Sequence, residues 1–204
     1  MYKTILTAVC LLLVCCVAGL VHADPIIDFE GYTGYTTITN QYSALGVDFD
    51  PTSPAVVLQF PHYNYGGYPP HSGTNVVYNA NSGTGLIKAT AVGPLWSHVS
   101  LWYTVNSSSP ITADNYGLYI DAYDSSNNLI ASSHGGNNYG SNSYLDVSAA
   151  GISYVKIHDH GNYFTIDDFS FHQESVPEPG QVVAFLGMGG MGLIGWAWRR
   201  RKIA

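Results

Sequence analysis

Two charge-free apolar runs, Ile5 to Leu20 and Gln181 to Trp198, bracket this chain. Runs of this kind belong to a leader or a membrane segment rather than to a folded domain's surface, so the fold must be sought between them. The first run follows Lys3 and closes with Val21-His22-Ala23 before Asp24, the apolar and small residues a signal peptidase accepts. Residues 1–23 are therefore expected to be a cleaved signal peptide, the alternative being an uncleaved anchor. Leu13 and Val14 before Cys15 and Cys16 do not make a lipobox. The second run is long enough to span a bilayer as a helix over about 181–198. The basic residues 199–202 after it would stay on the cytoplasmic side, leaving the bulk of the chain outside the inner membrane.

Between the runs, residues 24–175 suffice for one domain with a hydrophobic core. All three cysteines, Cys10, Cys15 and Cys16, lie in the leader, so the domain must fold without disulfides and has no thiolate chemistry. It carries thirteen acids and only two bases, Lys88 and Lys156, a net charge of −11. Such a surface repels phosphate backbones, which argues against a nucleic-acid partner. It suits divalent cations held by oxygen.

The domain reads as β throughout. Val99, Leu101, Tyr103 and Val105 alternate with other residues, as do Tyr116, Leu118, Ile120 and Ala122, and Val155 with Ile157. The turn-rich Tyr123 to Asn128 predicts a hairpin. Leu45, Val47 and Phe49 are expected to point inward, with a bend at Gly46. Many short strands, no amphipathic helix and no internal repeat predict a two-sheet β-sandwich or jelly roll.

The first and last predicted strands carry the first candidate site. In Phe164 to Phe171, Phe164 and Ile166 share one parity and Phe169 and Phe171 the other. A regular strand cannot bury both pairs on one face, and a bulge at Asp167-Asp168 would repair the phase. That bulge would turn carboxylates toward one point, where Glu30, from the predicted strand Ile26 to Glu30, could join them. Carboxylates gathered without a lysine or arginine call for a cation, and calcium takes six to eight oxygens. This arrangement resembles the jelly-roll carbohydrate-binding modules, in which a Phe-Glu near the start and an Asp-Asp in the final strand hold a structural calcium. The resemblance implies Glu30, Asp167 and Asp168 as its ligands. Solvated or bulge-capping carboxylates are the alternative.

The C-terminal end carries a second resemblance. Val176-Pro177-Glu178-Pro179-Gly180, a glycine-rich apolar run and the cluster Arg199-Arg200-Arg201 resemble the PEP-CTERM sorting signal over 176–204. Proteins of this kind come from Gram-negative bacteria that make exopolysaccharide, and their tails are thought to be cut by an exosortase. The resemblance implies an exosortase as partner, Pro177, Glu178, Pro179 and the arginines Arg199, Arg200 and Arg201 as recognition residues, and a destination at the cell surface or in the matrix. Residues 38–49, ending Gly46-Val47-Asp48-Phe49, also resemble the opening of many exported domains with this tail.

A third candidate is the stretch Pro61 to His71. Tyr63, Tyr65 and Tyr68 there offer flat apolar faces with hydroxyls, suited to sugar rings. Packing of these rings onto the sandwich is the competing expectation. A second Gly/Asn/Tyr loop, His134 to Tyr144, is expected on the same surface. His158 and His160, with His98 or His172 as possible donors, form only an incomplete zinc set. No Gly-x-Ser-x-Gly, His-Glu-x-x-His or phosphate-binding loop occurs. The expectation is a non-enzymatic surface protein whose domain binds or organises extracellular polysaccharide. A protein-binding adhesive module and a weak hydrolase using an Asp pair are its rivals.

Overall fold

The computed structural model describes residues 23–62, 66–80, 85–106 and 117–174. The leader, Tyr63, Tyr65 and the sorting tail with its apolar run lie outside the described residues. The described chain is all-β apart from one short 3-10 turn, Ser43–Leu45. Strands β1 (Ile26–Ile27), β2 (Thr37–Ile38), β4 (Ala55–Gln59), β5 (Asn75–Asn79), β7 (Trp96–Val105), β10 (Ser143–Ile152) and β12 (Phe164–Gln173) form a seven-stranded sheet. Its order is β10-β7-β12-β5-β4-β2, with β1 also on β12. Strands β3 (Val47–Phe49), β6 (Leu86–Ala91), β8 (Leu118–Tyr123), β9 (Leu129–Gly135) and β11 (Tyr154–His158) form the second sheet, in the order β3-β6-β11-β8-β9. From β6 onward the chain passes repeatedly from one sheet to the other through antiparallel pairs, giving a jelly-roll sandwich.

Period-two alternation decides which residues meet between the sheets. Val99, Leu101, Tyr103 and Val105 of β7 are buried, as are Leu118, Ile120 and Ala122 of β8 and Val155 and Ile157 of β11. The predicted hairpin is the β8–β9 pair, whose turn is closed by Asp124 accepting from Ser126 N and Asn128 N. One end of the core is aromatic. Phe49 meets Phe29 at 6.0 Å and Phe169 at 5.7 Å, and Trp96 lies 4.8 Å from Phe171. Each such pair adds about 0.5–1.5 kcal/mol beyond the burial of its rings.

The last strand is bulged where its sequence demands it. Asp167 pairs with Trp102 of β7 but Ser170 pairs with Ser100, so β12 uses one residue more than its partner. Phe164, Ile166, Phe169 and Phe171 are consequently all buried.

Two local expectations need correction. The first strand stops at Ile27, because Phe29 takes a left-handed φ of 60° to enter the core while the chain turns. Leu45 ends the 3-10 turn, 49% exposed, and only Val47 and Phe49 point inward. Gly46, at φ 105°, makes the bend between them.

Candidate functional site

The bulge and the end of β1 bring Glu30, Asp167 and Asp168 to one loop, residues 71–75. Asp167 is 1% exposed. Its Oδ2 accepts from His71 N at 2.8 Å and Ser72 N at 2.9 Å, and its Oδ1 accepts from Asp168 N at 2.7 Å. Asp168, left-handed at φ 45°, receives the Ser72 hydroxyl at 2.7 Å and faces His71 Nδ1 at 2.6 Å. Glu30 Oε1 accepts from Thr74 N at 2.7 Å and Asn75 N at 2.6 Å, and Oε2 accepts from the Thr74 hydroxyl at 3.1 Å. Burial pushes the Asp167 carboxyl up from 3.8 to about 6, against the opposing pull of its N–H donors. Mutual repulsion of the carboxylates is therefore answered by N–H and O–H donors of one loop. All three carboxylates thus already spend oxygen lone pairs on N–H or O–H donors of the protein. Among the described residues no group of three or more His, Cys, Asp or Glu is arranged to hold a metal. His158, at the end of β11, pairs with Asp121 at 3.1 Å, and His98 with Asp146 at 3.2 Å.

The loop held by the carboxylates continues from the tyrosine stretch. Tyr68 is half-buried and meets Tyr139 edge-on at 5.5 Å. Gly140 N bonds Gly67 O at 3.0 Å, so the 66–70 and 137–142 loops are joined, as their shared composition led one to expect. A third loop, 159–163, is organised by Asp159, which accepts from Gly161 N at 3.1 Å, Asn162 N at 2.6 Å and Tyr163 N at 2.8 Å. Tyr163 O receives Asn106 N at 2.8 Å, and the Asn106 side chain hydrogen-bonds the Tyr68 phenol. Burial raises that phenol above its ordinary value, with Tyr139, Asp159 and Tyr163 adding to the effect. Tyr139 and Tyr163 stand 56% and 47% exposed. Neither hydroxyl has a hydrogen-bond partner among the described residues.

Three loops thus set Tyr68, Tyr139 and Tyr163 at the end of the sandwich where β7 finishes and β12 begins. Of the three tyrosines named from sequence, only Tyr68 falls within the described residues, and it supports the cluster rather than fronting it. Tyr163 escaped the sequence reading. Gly161-Asn162-Tyr163 repeats the composition of the other two loops and was the available signal.

The opposite end of β12 carries the exit toward the tail. Glu174 N bonds Leu95 O at 2.8 Å, and Glu174 Oε1 accepts from Gly151 N at 2.7 Å. His172 Nδ1 lies 2.7 Å from Asp24 at the start of the domain. The ten residues of β12 separate this end from Tyr163 by about 30 Å. A cleft of about 510 Å³, lined by Thr39, Asn40, Asp48, Asp50 and Thr90 among others, opens at the β3 edge and shares no residue with the tyrosine loops.

A family model for the PEP-CTERM protein-sorting motif matches residues 175–202, which contain Pro177, Glu178, Pro179, Arg199, Arg200 and Arg201. The motif marks an exported chain with a C-terminal sorting signal, the substrate of an exosortase. No curated protein matches the chain. Among solved structures, a fucose binding module from Streptococcus pneumoniae is similar at 18% identity, covering 48% of this chain and 70% of that one, with a TM-score of 0.34. A protein solved with β-1,4-galactotriose is similar at 16% identity, covering 70% of this chain and 100% of that one, with a TM-score of 0.38. A xylan-binding domain from Paenibacillus barcinonensis is similar at 8% identity, covering 76% of this chain and 99% of that one, also with a TM-score of 0.38.

Proposed function

We propose that this exported, C-terminally sorted chain is a non-catalytic binder of extracellular polysaccharide, and that its tyrosine end is the binding surface. The observation that carries the reading is the convergence of Tyr68, Tyr139 and Tyr163 from three loops, with two rings about half exposed and their hydroxyls without a hydrogen-bond partner among the described residues. A tyrosine ring lost from water gains apolar contact with the C–H face of a sugar, and its hydroxyl both donates to and accepts from sugar hydroxyls. Rings braced by edge contacts and loop hydrogen bonds lose little entropy on binding.

Placement supports the same reading. Glu174 precedes the sorting motif at the end of the sandwich opposite Tyr163. A domain tethered through its tail would then turn its tyrosine end outward to the matrix. The Asp-pair hydrolase loses ground, because both Asp167 and Asp168 are committed to residues 71 and 72.

The test is affinity electrophoresis of the exported chain, purified with its tail in detergent, through gels containing neutral polysaccharides. Retardation by at least one, abolished in Tyr139→Ala/Tyr163→Ala, is expected. Unchanged mobility in every gel would leave the adhesive protein-binding module as the better reading.

A further inference from the structure

We infer that the tyrosine end selects uncharged polysaccharide and rejects carboxylated chains. This rests on the proposed binding at Tyr68, Tyr139 and Tyr163 and names its ligand class.

Lys88 and Lys156 are the only lysines or arginines between residues 24 and 175, so no loop at the tyrosine end brings another. Both are placed on the outer face of the five-stranded sheet, directly opposite each other in the β6–β11 register. Each ammonium lies over a tyrosine ring of the next row, Lys88 over Tyr154 and Lys156 over Tyr123, both at 4.7 Å. Lys88 is also 3.6 Å from Asp50. In that register the Tyr154–Tyr123 row lies on the far side of the lysines from the His158–Tyr119 row, which leads into the 159–163 loop. The two ammonium groups therefore lean away from the tyrosine end, held by cation–π attraction.

The described tyrosine loops, 66–70, 137–142 and 159–163, hold one carboxylate, Asp159, and one imidazole, His160. The carboxylate is spent on its own loop, and the imidazole is turned edge-on to Tyr119 at 5.6 Å. A sugar carboxylate docking there meets no fixed cation, and approaches a domain whose net charge is −11. It would be desolvated without a cationic partner, which is how a site discriminates against a charged analogue of its ligand. Uncharged hydroxylated rings suffer neither cost.

The experiment compares one polysaccharide with its own derivatives, using the exported chain purified with its tail. A neutral β-glucan, a galactan and a xylan are screened, and the best retained is lightly carboxymethylated or, as a neutral steric control, hydroxyethylated to the same degree. At about pH 7.5 and low salt, carboxymethylation should weaken binding by about tenfold, hydroxyethylation by less than about threefold, and ~0.5 M salt should recover part of the charged derivative's loss. Lys88→Ala/Lys156→Ala should bind the neutral polymer as the parent does.

Equal or tighter binding of the carboxymethylated polymer overturns the inference, as does an equal loss with the hydroxyethylated one. Loss of neutral binding in the lysine variant overturns it too, by moving the ligand to the lysine face. If alginate is retained where no neutral polymer is, charge selection is refuted while polysaccharide binding stands. If nothing is retained, polysaccharide binding itself is refuted and the selection with it.

Discussion

The imidazole of His71 lies flat on the indole of Trp102, ring centroids 3.6 Å apart and planes 7° from parallel, while Asp168 holds its Nδ1 at 2.6 Å. Three elements meet in that contact: the loop before β5, the middle of β7 and the bulge of β12. It covers one face of Trp102, whose edge contact with Tyr144 at 5.8 Å continues the row across β10. Replacing His71 by Ala removes a stacked pair and a charge-assisted bond, a loss of about 1–3 kcal/mol. Acrylamide quenching of tryptophan emission should rise in His71→Ala, and the rise should vanish when Trp102→Phe is added.

Asp167 predicts a pH dependence of definite sign. Burial lifts its folded-state value from 3.8 to about 6, so the folded protein binds that proton more tightly than the unfolded chain. The group's contribution to stability is therefore fully present below about pH 4 and is lost as pH rises through about 6. Denaturant unfolding of parent and Asp167→Asn isolates it. The parent should gain roughly 1–3 kcal/mol relative to the variant between pH 7 and pH 4. A parallel pair of profiles would show that Asp167 titrates alike folded and unfolded.

Gly73 takes φ 51°, and an added Cβ would collide with the Glu30 carboxyl that holds Thr74 and Asn75. Gly73→Ala should cost about 1–3 kcal/mol, from both the left-handed backbone and the crowding. Glu30→Ala in the same chain relieves the crowding but not the left-handed backbone, at the cost of its own bonds to Thr74 and Asn75. The double variant should therefore fall short of additivity in a thermal melt.

Tyr139→Ala and Tyr163→Ala should each abolish or strongly weaken polysaccharide retention while moving the melting temperature by less than about 3 °C, since both rings stand about half in water. Tyr68→Ala should lose binding and also stability, because its half-buried ring braces Tyr139.

Calcium titration tests the loop clasp against the metal reading. With N–H donors on Asp167 and Glu30, millimolar calcium should leave the melting temperature within about 1 °C. A rise of several degrees, lost in Asp167→Asn, would mean that these carboxylates re-aim to a cation.

Much of the fold was legible because alternation along a strand is local. The clash of parity between Phe164 with Ile166 and Phe169 with Phe171 located the bulge without any knowledge of neighbouring strands, since burial of both pairs leaves no other solution. The two apolar runs, the sorting motif and the placement of cysteines were equally readable, being properties of consecutive residues. What alternation could not say is what lies across from a given side chain. Glu30 holds Thr74 and Asn75, partners that no local pattern announces, because β1 shares β12 with β5 and delivers it there. Tyr68, Tyr139 and Tyr163 are far apart in the chain and adjacent in space only because antiparallel register on β7 puts the starts of β10 and β12 at its end. Local sequence sets which face each residue takes. Strand order, decided by the packing of two whole sheets, sets which loops share an end, and the tyrosine cluster is a property of that order.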